Sequence, residues 1–260
     1  MRCKDIISVL EELCAVSYAE SWDNVGLLAG RKDKEIDSVM LALDATDEVI
    51  EQALKKGASM LITHHPLVFQ PLSKVTTEDF IGRRMFRLIQ KDICYYAMHT
   101  NFDVMGMADA AADELLLKER QVLDITYEDE IAKEGVGRFG RLPRIMTLRE
   151  CAEYVKKRFD LDSVQVFGEP DTELEKAAVC PGSGKSYIRN AVQMGADVYI
   201  TGDIDHHNGL DALAQGMCVI DAGHFGLEHI FKAYMKEYLG RKLPEITVYE
   251  AAEKSPFWVI

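Results

Sequence analysis

The sequence predicts an α/β protein of two similar lobes, each with a mainly parallel sheet covered by helices. Three observations carry this. Over the first hundred or so residues, short apolar runs alternate with stretches of helical spacing, the order of β-α-β units. A piece of the first half returns in the second: Ala53 to Thr63 reads ALKKGASMLIT and Ala191 to Thr201 reads AVQMGADVYIT. The 260 residues suffice for two lobes of about 130 each.

Taken in order, Ile6 to Leu13 has helical spacing, with Ile6, Ile7, Leu10 and Leu13 on one side. Ser21-Trp22-Asp23-Asn24-Val25-Gly26 reads as a tight loop, and Val39 to Asp44 as a buried strand. Thr46 caps a helix over Asp47 to Lys56, which Gly57 ends. Ser59 to Thr63 is a second buried strand running into His64-His65-Pro66. A helix near Ile81 to Gln90 and a strand from Ile93 to Met98 follow, the strand meeting His99. Asp109 to Leu117 is expected to be helical, Glu128 to Glu134 exposed, and Gly135-Val136-Gly137-Arg138-Phe139-Gly140 a glycine-rich turn. We place the first lobe at residues 1–125 and the second at 126–260, with the C-terminal residues able to pack back on the first. Leu148 to Phe159 again has helical spacing. In the repeat, each copy is a helix end, a glycine stop and an apolar strand closing on Ile-Thr. One strand leads into His64-His65, the other into Gly202-Asp203-Ile204-Asp205-His206-His207. Met217 to His224 matches Ile93 to His99 as an apolar strand ending at a histidine. A site at the carboxyl ends of these strands is where α/β sheets commonly bind ligands.

The formal net charge of −13 argues against nonspecific binding to nucleic acid or an anionic membrane. A small-molecule substrate in a local pocket is the expectation instead. No apolar run approaches a bilayer-spanning length, and the N-terminus lacks a signal-peptide apolar region. Cys3, Cys14, Cys94, Cys151, Cys180 and Cys218 form no CxxC pair, which suits reduced thiols in the cytoplasm, each acting as a small buried hydrophobe.

The histidines carry the chemistry. In His64-His65-Pro66 the backbone turns at a strand end, and Pro66 restricts His65 to an extended conformation. Both imidazoles can then face one pocket; taken alone, the pair reads equally well as metal ligands or as hydrogen-bonded histidines in a turn. His99-Thr100-Asn101-Phe102-Asp103 sets a carboxylate four residues after an imidazole, which suits Zn²⁺, Mn²⁺ or Fe²⁺. On that pentad alone, a capping Asp103 beside a core histidine is the simpler account. If a helix begins near His224, then His224 and Glu228 share one face a turn apart. Together, His64, His65, Asp103, His224 and Glu228 supply three imidazoles and two carboxylates, enough for two divalent ions sharing a bridging ligand. His99, Asp203 and His207 are then candidates for supporting the ligands or transferring protons. Pro181-Gly182-Ser183-Gly184-Lys185-Ser186 fails the P-loop pattern, because Val179 stands where a glycine is needed; a turn offering N–H groups to an anion remains.

Ser21 to Leu27, Ile62 to Leu67, His99 to Asp103, Thr201-Gly202-Asp203, and Asp221 to His224 with Glu228 together resemble the family of GTP cyclohydrolase 1 type 2 homologues, also called NIF-three-like proteins. The resemblance runs from about Leu13 to Phe231. It implies a two-lobed α/β fold, a dinuclear metal site between the lobes, a ring-shaped homohexamer, and ligands at His64, His65, Asp103, His224 and Glu228. The short stretch from Gly140 to Pro181 leaves no room for the large inserted domain of some members, and Asp205-His206-His207-Asn208 departs from the family pattern. The implied activity is hydrolysis of a purine nucleotide such as GTP, with metal-activated water attacking the ring and His99 shuttling protons. Alternatives are metal-dependent phosphoester or amide hydrolysis, and a non-enzymatic metal-binding assembly or regulatory role. The metal, whether Zn, Fe or Mn, is left open by the donor set.

Overall fold

The computed structural model describes residues 1–259, which form two compact units. The first comprises Met1–Phe102 and Phe231–Lys254; the second comprises Asp103–Ile230 and the last residues from Ser255.

In the first unit, β1 (Gly26–Ala29), β2 (Ser38–Ala42), β3 (Met60–Thr63) and β4 (Cys94–Ala97) join a strand from the C-terminal segment, Thr247–Glu250, which is β11 in chain order. The sheet order is β1-β4-β3-β2-β11, with β1 antiparallel and every other pairing parallel. Every residue of β2 and β3 is buried, as strands covered on both faces require. The helix Asp47–Lys56 forms where the cap predicts it: Val49 N–H donates to Thr46 Oγ1 at 3.2 Å, and Gly57 ends it in the left-handed conformation. The register aligns Ala42 with Thr63 and Thr63 with Ala97. Whatever follows β2, β3 and β4 therefore emerges at one edge of the sheet.

The second unit holds β5 (Lys118–Glu128), β6 (Lys133–Thr147), β7 (Gln165–Phe167), β8 (Glu173–Ser183), β9 (Val198–Gly202) and β10 (Cys218–Asp221) in the order β5-β6-β8-β9-β10-β7. Only β8, β9 and β10 run parallel; β5, β6 and β7 pair antiparallel, so this sheet is mixed where a mainly parallel one was expected. The helix Leu148–Arg158 starts on a Thr147/Glu150 capping box and buries Leu148, Cys151, Ala152 and Val155 in the core.

The sequence repeat encodes one local structure twice. Gly57 N–H bonds the carbonyls of Ala53 and Leu54, and Gly195 N–H those of Ala191 and Val192. Ala58 and Ala196 then donate to Ala53 and Ala191, so both copies close with the same left-handed cap before entering a buried strand.

Two expectations are corrected. Gly135 to Gly140 is part of β6, not a turn. A Cβ on Gly135 would sit 1.8 Å from the Asp124 carbonyl oxygen, so this glycine marks a close approach between paired strands. The helix expected over Asp109 to Leu117 instead runs Ala108–Glu114, preceded by a π-helical turn over Asp103–Met107. All six cysteines are buried and unbridged, and among the described residues no helix is long and apolar enough to cross a membrane.

Gly135→Ala is expected to cost about 1–3 kcal/mol, because the added methyl overpacks the strand pair. A denaturant midpoint equal to wild type would contradict the close approach.

Candidate metal centre

The first unit delivers its chemistry just past the aligned strand ends. His64 and His65 still pair through their backbone N–H groups with Ala42 and Leu43, at 3.2 and 2.9 Å. Yet their rings lie 4.8 Å apart, where a continuing strand would send them to opposite faces, because the chain bends here. The His99 ring, two residues past β4, lies 5.2 Å from that of His64 and 5.4 Å from that of His65. One donor atom from each of the three falls within 4.8 Å of the others, a group able to hold a metal ion.

What stands behind these rings settles how they present themselves. His64 Nδ1 lies 3.0 Å from the Met98 carbonyl oxygen, which only accepts, so Nδ1 carries the proton and Nε2 the lone pair. His65 Nδ1 donates to Asp44 Oδ1 at 3.0 Å, and His99 Nδ1 to both Asp23 oxygens at 3.0 Å. Asp23, its side chain fully buried, also accepts from Thr100 N–H at 3.0 Å and Thr100 Oγ1 at 2.6 Å. Burial alone would raise its pKa, but the hydrogen bonds from His99 and Thr100 outweigh burial and hold it at about 2.

Asp44 is itself held from behind. Glu253, in the C-terminal segment, accepts from Leu43 N–H at 2.9 Å and Asp44 N–H at 3.1 Å, and pairs with Lys232 at 3.1 Å. The loop carrying the His65 partner is thus fixed by a carboxylate more than two hundred residues away.

The second unit builds a matching arrangement on different residues. The register sets Thr201 beside Asp221 and Ser183 beside Gly202, so β8, β9 and β10 also end together. His224 opens the short helix His224–Glu228, as the spacing predicts. Its Nδ1 donates to Asp203 Oδ2 at 2.8 Å, and its Nε2 lies 3.0 Å from Glu228 Oε2. Asp203 adopts a left-handed backbone with φ of 58°, a conformation that, after glycine, a short polar side chain tolerates best. Asp221 steadies both loops, accepting from Ile204 N–H at 2.8 Å and Gly223 N–H at 2.9 Å. Gly182 packs against the carboxylate: a Cβ there would come 2.4 Å from Glu228 Oε1, and its φ is +73°. Asp103 begins the π-helical turn, a distortion common at functional positions. Burial, then the carboxylates of Asp103 and Glu228, push the Cys180 thiol up to about 12 against an opposing hydrogen bond with Tyr199. Both expected acidic ligands therefore add negative charge beside the same buried thiol.

The donor set fits a divalent cation. Each imidazole named above gives its Nδ1 proton to an oxygen, which leaves Nε2 as a neutral donor, the state a metal requires. His224 Nε2 and Glu228 Oε2 lie 3.0 Å apart, close enough for one cation to take both as ligands. His207, expected as a supporting residue, is the second residue of the helix His206–Ala214, where its ring packs edge-on against His206; among the described residues it makes no hydrogen bond to His224 or Glu228. Asp23, Asp44, Asp221 and Glu253 were not singled out as site residues from sequence. The Ser21 to Leu27 stretch holds Asp23 within a loop and within the family resemblance, but gives it no role at the site.

Asp23 is ionised in the fold down to about pH 2 but has an ordinary pKa of 3.8, so its stabilisation is complete above about pH 4 and is lost as pH falls to about 2. The shift corresponds to about 2 kcal/mol. Asp23→Asn is expected to lower stability by about that amount at neutral pH and to flatten the acid limb of the stability curve. Wild-type and variant curves that stayed parallel through this window would contradict the pairing.

Residues 1–256 match the model of the family described as Duf34/NIF3 (NGG1p interacting factor 3). The chain is similar to the GTP cyclohydrolase 1 type 2 homolog of Clostridium acetobutylicum, 36% identical over 231 residues that cover 88% of this chain and 85% of that one. It is 35% identical to the Streptococcus pneumoniae protein of the same name over 238 residues, 89% of this chain and 87% of that one. Among solved structures, a Bacillus cereus protein related to NIF3 superposes with a TM-score of 0.92 at 25% identity, covering 100% and 99% of the two chains. Reduced HcgD from Methanocaldococcus jannaschii gives 0.83 at 33% identity, covering 96% and 97%.

Proposed function

The chain belongs to the Duf34/NIF3 family, and from that footing we propose that it is a divalent-metal-dependent hydrolase acting on a purine nucleotide. The ligands in this reading are His64, His65, Asp103, His224 and Glu228, holding two ions. The observation that supports it is the clustering of the site imidazoles and carboxylates, with each imidazole anchored to an oxygen through Nδ1 so that Nε2 is the nitrogen a cation would take. Divalent ions bound there supply activation of water near neutral pH and offset negative charge developing on the substrate.

The residues of the chain do the rest. Asp23 holds His99 so that Nε2 is the basic nitrogen, placed among the rings of His64 and His65. His99 takes a proton from the attacking water and returns one to the nitrogen that leaves as the imidazole ring of the base opens. A second water then hydrolyses the resulting formamide to formate and a free amine, and condensation of that amine with the rearranged ribose would close the pterin ring of the reaction that the name of the relatives suggests. Asp44 and Asp203 keep His65 and His224 in their binding tautomers and, as anions, raise their basicity.

Zn²⁺, Mn²⁺ or Fe²⁺ is expected to raise the thermal midpoint, by about 2.7 kcal/mol of stability at a hundredfold excess over Kd. Glu228→Ala and His65→Ala should abolish that gain and reduce the metal retained after dialysis. Metal-loaded protein given GTP should release formate and develop pterin-like fluorescence, and His99→Ala should slow this about 10²- to 10⁴-fold. Metal retention without turnover of GTP would reject the nucleotide reaction, and a panel of phosphoesters and amides would then locate the chemistry. Failure to retain any divalent ion would reject the metal as well.

A further inference from the structure

Two large aromatic side chains stand in solvent beside His99. Trp22 is 59% exposed and Phe69 44% exposed. Their rings lie 6.0 and 5.8 Å from that of His99, both edge-on. Exposed aromatic residues are ordinarily free to move, but the backbone around these two is pinned. Asp23, next to Trp22, is held by His99 and Thr100, and its own N–H donates to Glu20 O at 2.9 Å. Asn24 Nδ2 donates to Val68 O at 2.6 Å, which stitches the Trp22 loop to the residue preceding Phe69. Leu67 N–H is fixed in turn by the Tyr95 hydroxyl at 2.8 Å. Keeping two exposed apolar rings in water on a pinned backbone costs solvation free energy. Exposed rings of this kind suit a flat, polarisable ligand, which stacks on aromatic surfaces whatever its substituents.

We propose that Trp22 and Phe69 form a stacking subsite that receives the planar heteroaromatic ring of the substrate and sets it against His99. This rests on the metal-dependent reading above and adds which part of the substrate is recognised and by what: the fused nitrogen heterocycle itself, held by Trp22 and Phe69, and not the sugar or phosphate. A heterocycle on these rings presents its edge to the group that moves the proton, so the subsite orients the ring as well as binding it. His99 is the group that touches the reacting atoms; Trp22 and Phe69 determine specificity.

The chain has two tryptophans, Trp22 and Trp258, so Trp258→Phe leaves Trp22 as sole reporter. In that variant, guanosine and GTP are expected to quench the remaining fluorescence saturably, while ribose 5-phosphate and inorganic triphosphate leave it unchanged. Adding Phe69→Leu should weaken the quenching isotherm about tenfold. By equilibrium dialysis, Trp22→Leu should lose guanosine about tenfold, and Trp22→Phe should recover most of it. Metal content should be wild-type in all of these variants, which separates a lost subsite from a lost fold. Absence of saturable quenching by any purine or pteridine overturns the inference, as does ring affinity unchanged in both leucine variants. Unchanged KM for GTP in both leucine variants overturns the subsite while leaving the hydrolase reading intact. Ring binding lost in those variants, without turnover by wild type under any metal, supports the subsite and discards the reaction.

Discussion

Behind each candidate metal-binding imidazole lies one hydrogen bond, from Nδ1–H to an oxygen, and much of the structure keeps that oxygen in place. Met98 O serves His64, Asp44 serves His65, Asp23 serves His99 and Asp203 serves His224. A free imidazole exchanges its proton between two nitrogens; one fixed in this way offers the same nitrogen at all times, which is what a cation or a proton-transfer step needs. Three of these four partners are carboxylates, and their charge strengthens the donor they hold. Removing an oxygen therefore changes both where the ring points and how basic it is.

The oxygens are supplied by strand ends. Parallel pairing with Ala42, Thr63 and Ala97 in register brings Asp44, His64, His65 and His99 out at one edge. In the second unit β9 and β10 do the same for Asp203 and His224. Repetition of the left-handed glycine cap at Gly57 and Gly195 starts each buried strand from the same geometry. Local chain chemistry thus places residues of distant sequence number at common edges, and the β11 pairing brings the C-terminal segment alongside the first sheet.

Much of this was legible in the sequence where the signal is local. Thr46, Gly57 and the apolar run after them define a capped helix and strand within a few residues, and the spacing of His224 and Glu228 gives one helical turn. Signals that depend on partners far along the chain were not legible. Asp23 meets His99 across 76 residues, and nothing near Asp23 announces that its loop folds onto the end of β4. Gly135 to Gly140 misled because glycine serves both a turn and a crowded strand pair, and only the opposing Asp124 carbonyl decides between them. The antiparallel flanks of the second sheet escaped for a similar reason. β5 is exposed along most of its length, so its apolar pattern is weak. Family resemblance added a ligand set from separate motifs, but did not name the residues that stand behind the ligands.

The reach of Glu253 bears on how the protein is made. Leu43 and Asp44 are synthesised early, yet the carboxylate that accepts their N–H groups comes more than two hundred residues later, after the second unit. During translation the loop bearing Asp44, the partner of His65, therefore waits without this buttress until the segment carrying Glu253 has left the ribosome. The support of the first histidine cluster is in this way tied to a residue synthesised far later, and a nascent chain stalled before Glu253 carries the histidines without the carboxylate that steadies their loop.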